Sequence, residues 1–341
     1  MTSRERVERV FRGETPDRVP VLPQVGDHAG WVAGLTMDQI YHDAKKIAEA
    51  HVKAYRRYGY DILAIQVEPS WPVAEACGCT VTYPPEKCPW ITENVIRGPE
   101  DVDKVRVPDF MAHSGTRTIL EATRRLKEQV GGEAVIAGYM TGPLTFALQL
   151  MPYNDFILKT RKDPTFVAAV VGKAGEVAQA FVAALREAGA DICVTCEHDL
   201  QMLAPSAFTD YILPNLSAIT SVLPYNVLHV CGKVEAHLTQ CADEIAGVPG
   251  LQFVNFSAEV PILKMVEVFG DRMGLCGNID HIHLLTAGTP EEVQAACKAA
   301  IEDGRKAKAF MLGPGCEITT DTPPENIVAF VQSAALYGGY G

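Results

Sequence analysis

The sequence has no run of basic residues, and its formal net charge is −12 over 341 residues. A nucleic-acid or anionic-membrane role is disfavoured, because both need a cationic face. No apolar stretch approaches a membrane span. The opening residues, Met1-Thr2-Ser3-Arg4-Glu5-Arg6-Val7-Glu8, are charged where a secretory signal needs an apolar core, so a cytoplasmic protein is expected. The glycine-rich first turn of an open dinucleotide-binding sheet is also missing, since no G-x-G-x-x-G occurs. The ten cysteines (77, 79, 88, 193, 196, 231, 241, 276, 297, 316) are too sparse for a small disulfide scaffold, and most read as small buried hydrophobes.

What is present is a regular alternation. Short apolar runs near residues 20, 62, 135, 192, 226, 252, 273 and 310 read as eight strands, separated by helical segments. A helix over 3–11, capped at Ser3, precedes them. Others follow over 36–58, capped at Thr36, over 164–188, over 206–223 and over 290–307, capped at Thr289. Strands alternating with helices pair in parallel through right-handed crossovers. Eight such units predict an α/β fold, a (β/α)8 TIM barrel forming one domain over residues 1–341. Residues 69–133 break the rhythm with Cys77-Gly78-Cys79, Pro84-Pro85 and Cys88-Pro89, and are expected to form a capping excursion between strands 2 and 3.

Active-site residues of such barrels stand at the C-terminal strand ends. His229-Val230-Cys231 closes the fifth strand, and residues two apart on a strand face the same way. Cys316, in Gly313-Pro314-Gly315-Cys316, follows the eighth. Topology thus brings two sulfurs and an imidazole to one mouth. Such a set fits zinc with one position open, the catalytic rather than the structural arrangement.

Other strand ends supply Asp27 and His28, Gln66, Tyr139 and Asn278 as expected substrate contacts. Each could equally be a hydrogen-bonding residue of the mouth. Glu197, at the end of the fourth strand, has two readings: a catalytic carboxylate that relays a proton or fills the open metal position, or a cap on the next helix. His198 is expected to line the mouth rather than bind metal, and Glu317 to support Cys316 or face solvent. Cys193 and Cys196 form a C-x-x-C that does not open a helix, which excludes thioredoxin-like chemistry.

Several stretches carry a resemblance. They are Arg4-Glu5-Arg6 with Asp17-Arg18-Val19-Pro20-Val21, Ala188-Gly189-Ala190-Asp191, Gly277-Asn278-Ile279-Asp280, Gly288-Thr289-Pro290-Glu291-Glu292-Val293 and Thr322-Pro323-Pro324-Glu325-Asn326-Ile327. The whole chain resembles the uroporphyrinogen decarboxylase superfamily. Decarboxylases of that group carry paired arginines near the N-terminus for their polyacidic substrate, yet Pro20 to Trp31 holds none. The other branch, zinc-dependent methyltransferases such as the methylcobamide:coenzyme M enzymes, has the H-x-C … C signature, matched by His229, Cys231 and Cys316.

The resemblance implies methyl transfer between a partner corrinoid protein, which brings the cobalamin, and a small molecule. A zinc ion held by two thiolates and one imidazole is electron-rich, which suits a thiol acceptor such as coenzyme M bound as its anion. Transfer involving tetrahydrofolate or an aromatic methyl ether, metal-free decarboxylation, and a purely structural zinc are the alternatives.

Overall fold

A computed structural model describes residues 1–65, 68–84 and 87–340. Its main sheet contains β1 (Ile62–Leu63), β4 (Val135–Thr141), β5 (Ile192–Glu197), β6 (Tyr225–Val230), β7 (Phe253–Phe256), β8 (Gly274–Ile279) and β9 (Phe310–Pro314), each parallel to the next. A separate antiparallel pair, β2 (Thr80–Thr82) and β3 (Trp90–Glu93), lies in the connection between β1 and β4.

The eighth barrel position is filled without a regular strand. Residues 20–22 run between β9 and β1. Leu22 N–H donates to Leu312 O at 3.0 Å, Leu312 N–H to Pro20 O at 2.9 Å, and Asp61 N–H to Val21 O at 3.2 Å. The expected strand is reduced to this seam because Pro20 and Pro23 have no N–H to give a ladder. With the seam formed, the sheet closes as a (β/α)8 barrel.

Side chains alternate across the barrel wall. Leu22, Ile62, Ala64, Val135, Ala137, Tyr139, Ile192, Val194, Cys196, Val227, Phe253, Cys276 and Met311 fill the interior. The intervening residues, such as Ile136, Cys193, Leu228, Val254 and Leu275, pack outward against the helices. Both faces are buried, which explains the near-continuous apolar runs. The helix Ser3–Phe11 plugs the N-terminal end of the barrel. Val7, Val10 and Phe11 join the interior cluster, and the Phe11 ring sits 4.9 Å from those of Tyr225 and Phe253.

Ion pairs lock the same end. Arg6 and Arg18 reach the fully buried Asp61 at 2.6 and 2.9 Å, and Arg4 and Lys127 reach Asp191 at 2.7 and 2.6 Å. Asp61 also accepts from Val21 N–H at 2.8 Å, so one carboxylate ties the plug helix, the seam and β1 together.

Local chemistry adjusts several helix limits. The first helix is capped by Thr2 rather than Ser3, because Thr2 completes a capping box with Glu5. The stretch 36–58 is two helices, Met37–His42 and Ala44–Tyr58, since Asp43 leaves helical geometry to cap the second. Thr36 and Thr289 cap as expected. Ser114–Val130, inside the excursion, packs on Ala44–Tyr58 and β4 in the place of a ring helix.

Contrary to the expectation from sequence, one apolar stretch does reach the length of a membrane span. The helix Pro164–Ala188, 25 residues with a mean hydropathy of 1.4 in its most apolar window, is long and apolar enough to cross a membrane. Here its apolar side chains pack against the helix Pro143–Leu150 and β4.

Candidate metal centre

On β6, Tyr225 and Val227 contact the interior cluster, so His229 and Cys231 continue the inward face while Leu228 and Val230 point out. Cys231 N–H donates to Glu197 O at 3.0 Å, which extends the parallel ladder one residue past the strand and fixes the sulfur at the mouth. Cys316 arrives from β9 through Gly313-Pro314-Gly315. A Cβ on Gly315 would come within 2.5 Å of Ala258 N, and one on Gly313 within 2.8 Å of Cys276 Sγ. Only glycine lets the chain pass this close to the loop after β7 and the wall of β8. As a result Cys316 Sγ lies 3.3 Å from Cys231 Sγ.

Hydrogen bonds from Asn255 fix the tautomer of His229. Asn255, on β7, donates through Nδ2 to Cys276 O at 2.9 Å and Pro314 O at 3.2 Å, which fixes its amide orientation and turns Oδ1 toward His229 Nδ1. Gln24 Nε2 donates to the same Oδ1 at 2.9 Å. An oxygen only accepts here, so Nδ1 carries the proton and Nε2 is a bare lone pair. That Nε2 is buried and has no hydrogen-bond partner. A buried, unpartnered imidazole nitrogen whose ring is held through its other nitrogen is the arrangement of a metal ligand.

His198 also enters the site. Donor atoms of His198, His229 and Cys231 lie within 4.8 Å of one another, and the two imidazole centroids are 5.8 Å apart. His198 Nε2 stands 2.9 Å from Glu68 Oε2. Glu68 in turn accepts from Thr141 Oγ1 at 2.8 Å and Ser70 N–H at 3.1 Å. Burial would raise the Glu68 carboxyl, but His198, Ser70 and Thr141 outweigh it and hold it at about 2. Burial disfavours a charged His198, yet Cys231 and Glu68 raise it well above the ordinary range. Donation from the Cys316 thiol, helped by His198 and His229, pushes Cys231 down against its burial. The same bond and burial push Cys316 up. The opposite shifts mark the two sulfurs, 3.3 Å apart, as one coupled pair. This set of donors fits a soft divalent ion such as zinc.

Glu197 is not part of this cluster. Wall alternation sends Cys196 and His198 inward and Glu197 outward, where it meets the N-terminus of the helix Pro143–Leu150. Its carboxylate accepts from Leu144 N–H at 3.2 Å, Thr145 N–H at 2.9 Å and Thr145 Oγ1 at 2.6 Å. The catalytic reading of Glu197 is thus replaced by the helix-capping one. Burial nonetheless raises this carboxyl to about 7.

His28 is corrected likewise. Its ring nitrogens engage Thr320 O at 3.0 Å and Tyr58 Oη at 3.1 Å, leaving neither for a substrate. Asn278 donates to Ser257 O at 3.1 Å and Val260 O at 2.6 Å, which ties down the loop after β7 instead of facing the mouth. Gln66 lies outside the described residues.

Asp27 and Tyr139 lie on the side of the barrel that carries Cys316 and Glu317. Asp27 N–H donates to Glu317 Oε1 at 3.2 Å, and Tyr41 Oη donates to Asp27 Oδ2 at 3.0 Å. Burial pushes the Asp27 carboxyl up to about 6; burial and the nearby Asp27 push Glu317 up as well. Tyr139 points inward, and its buried hydroxyl has no partner. The C-x-C cysteines stand apart, with Cys79 Sγ bonded to Gln149 O at 3.6 Å.

A parallel barrel whose mouth gathers two sulfurs and two imidazoles has the architecture of a (β/α)8 barrel enzyme. The comparisons make it particular: residues 2–337 match the family described as "Uroporphyrinogen decarboxylase (URO-D)", and the chain belongs to that family. Among its relatives, a methylcobamide:CoM methyltransferase MtaA from Methanosarcina barkeri is 29% identical over 98% of both chains. A methylcobamide:CoM methyltransferase MtbA from Methanosarcina mazei is 26% identical, also over 98% of both. A solved methyltransferase from Methanosarcina mazei superposes with a TM-score of 0.87 at 25% identity, covering 99% of each chain.

Proposed function

We propose that this protein is a zinc-dependent methyltransferase that moves a methyl group between a corrinoid protein, which carries the cobalamin, and a small thiol. The observation that carries this reading is the bare, buried Nε2 of His229 facing a mouth that also holds Cys231 Sγ and Cys316 Sγ at 3.3 Å separation. The full-length likeness to methylcobamide:CoM methyltransferases supports it. We assign His229, Cys231 and Cys316 as zinc ligands, with His198 beside them. Zinc held there would bind an incoming thiol as its anion and leave it nucleophilic, because the protein thiolates already supply electron density.

The chain's own groups do the remaining work. Asn255 Oδ1 holds His229 Nδ1–H and keeps Nε2 free. His198, fixed at 2.9 Å from Glu68, places a positive charge beside the sulfurs, which favours an incoming thiol as its anion. Asp27, Tyr139 and Glu317 surround the substrate. The methylated partner docks over the mouth, where Cys231 and Cys316 remain partly exposed. All ten cysteines are free thiols, which suits the reducing cytoplasm where we place the protein.

Porphyrinogen decarboxylation is the weaker reading. Residues 20–31 supply no arginine, and Asp27 would oppose a polyacidic substrate.

The decisive experiment measures methyl transfer from a methylated corrinoid to thiols, with tetrahydrofolate and aromatic methyl ethers as alternatives, before and after zinc removal. Transfer to thiols that vanishes with zinc and returns on its addition is expected. Freshly isolated protein without zinc, or a His229→Ala variant that binds zinc as the wild type does, would overturn the proposal.

A further inference from the structure

We propose that His198 is a fourth protein ligand of the zinc in the thiol-free protein, and that an incoming thiol takes its place. This rests on the function proposed above and names what holds the metal position that a catalytic site keeps for its substrate.

Strand register brings the ring there. Glu197 lies opposite Val230, so the next pair along the two parallel strands is His198 and Cys231. Neighbouring strands run about 4.8 Å apart, and both residues continue the inward face of the wall. The backbone of His198 is held in place, since its N–H donates to Thr145 Oγ1 at 2.7 Å. Donor atoms of His198, His229 and Cys231 lie within 4.8 Å of one another, and the two rings meet edge to face at 63°. Zinc–nitrogen bonds of about 2.0–2.1 Å and zinc–sulfur bonds of about 2.3 Å put tetrahedral donors roughly 3.3–3.8 Å apart. The two sulfurs already stand at 3.3 Å. The imidazoles have at most roughly 1–1.5 Å to close, a side-chain movement.

The bonding of the ring points the same way. His198 Nε2 is 2.9 Å from Glu68 Oε2, yet the two form no hydrogen bond. A histidine that serves only as a carboxylate's partner aims an N–H at it, because the bond weakens steeply off its axis. His198 Nε2 is instead a buried nitrogen without a hydrogen-bond partner, as His229 Nε2 is. Two such nitrogens beside two sulfurs make a complete tetrahedral set.

Glu68 explains how this fourth ligand can leave. Its Oε1 is fixed by Thr141 Oγ1 at 2.8 Å and Ser70 N–H at 3.1 Å, which keeps Oε2 beside the ring as an alternative partner. A small rotation aims the same nitrogen at either. The exchange balances: the thiol S–H breaks, its sulfur takes the metal position, and its proton goes to the nitrogen that leaves, where Glu68 receives the charged ring.

The test takes the zinc-loaded protein to zinc X-ray absorption, which counts sulfur and imidazole neighbours, with and without 2-sulfanylethanol or 2-sulfanylethanesulfonate as the thiol. Two sulfurs and two imidazoles are expected without thiol, and three sulfurs and one imidazole with it. His198→Ala should show one imidazole in both states. Its zinc affinity, by chelator competition, should fall at least about tenfold without thiol and approach that of the wild type when thiol is saturating. A histidine that only added positive charge beside the metal would give the opposite sign, since its loss would tighten zinc. Thermal melts of the metal-free proteins check folding separately. One imidazole in the thiol-free wild type, two retained after thiol binds, or a folded His198→Ala variant with zinc affinity at or above wild type overturns this inference and leaves the proposed function standing. If the protein takes up no zinc, or neither thiol reaches the metal, the proposed function falls with it.

Discussion

Replacing Asn255 by alanine removes the acceptor for His229 Nδ1–H without touching a sulfur or an imidazole. The ring is then free to carry its proton on Nε2, the nitrogen assigned to the metal. Outer partners of metal-bound histidines are worth about 10–100-fold in affinity, or about 1.4–2.7 kcal/mol. Asn255 has a second duty, since its Nδ2 serves Cys276 O at 2.9 Å and Pro314 O at 3.2 Å. Leaving those buried carbonyls unpaired costs about 1–3 kcal/mol each in fold stability. Asn255→Asp separates the two duties, because a carboxylate accepts from Nδ1–H but donates to neither carbonyl. Zinc affinity, measured by competition with a chromophoric chelator, should fall about 10–100-fold in Asn255→Ala and be largely retained in Asn255→Asp. Stability, measured by urea unfolding, should fall in both. Wild-type zinc affinity in Asn255→Ala, or equal losses of affinity in the two variants, would refute the argument that this amide sets the tautomer.

Three further outcomes are expected. The Glu197 carboxyl lies at about 7 against an ordinary 4.5, so folding takes up a proton between those values. Its stabilising contribution is full below about 4.5 and is lost as pH rises through about 7; the difference in urea-unfolding free energy between wild type and Glu197→Gln should change across that window and be flat above it. Asp61→Ala leaves Arg18 without its carboxylate and Arg6 with Asp17 alone, at 2.6 Å, and should cost about 3 kcal/mol by urea unfolding, while a refolded sample should bind added zinc as the wild type does. Chelator-stripped protein treated with oxidised glutathione should lose two thiols as Cys231 and Cys316, 3.3 Å apart, form a disulfide; the zinc-loaded protein should resist, as thiol alkylation and mass spectrometry would show.

The barrel was legible because its signal is repeated: each apolar run with its helix argues for the same parallel closure. The sulfur pair was legible for the same reason, since strand ends on one rim are neighbours whatever their separation in sequence. Wall alternation on β5 was less so. Ile192-Cys193-Val194-Thr195-Cys196 is apolar on both faces, and nothing in it says that the even-numbered residues look inward. Its pairing with β6, where Cys196 lies opposite His229, decides the matter, turning His198 into the site and Glu197 out. Counting alternation back from an inward His229 across that register was the signal available. The Asn255 support had no local signal, because a lone asparagine in Phe253–Phe256 reads as a strand imperfection until its partners on β6, β8 and β9 are known. His28 and Asn278 looked like mouth residues because strand-end position does not reveal which side chains are already committed to carbonyls.

The seam at residues 20–22 sets an order of events during synthesis. Its partner Leu312 leaves the ribosome almost three hundred residues later, so this is the last ladder the barrel can complete. His198, His229 and Cys231 sit on adjacent strands and can assemble in a half-made sheet. Cys316 comes only with β9, which must settle against residues 20–22 to hold its place. On the proposed ligand set, possession of both sulfurs is therefore a certificate of closure: a nascent or mis-closed chain would offer a metal ion at most a partial grip, and ions sampled early would be bound fully only by chains that have finished folding.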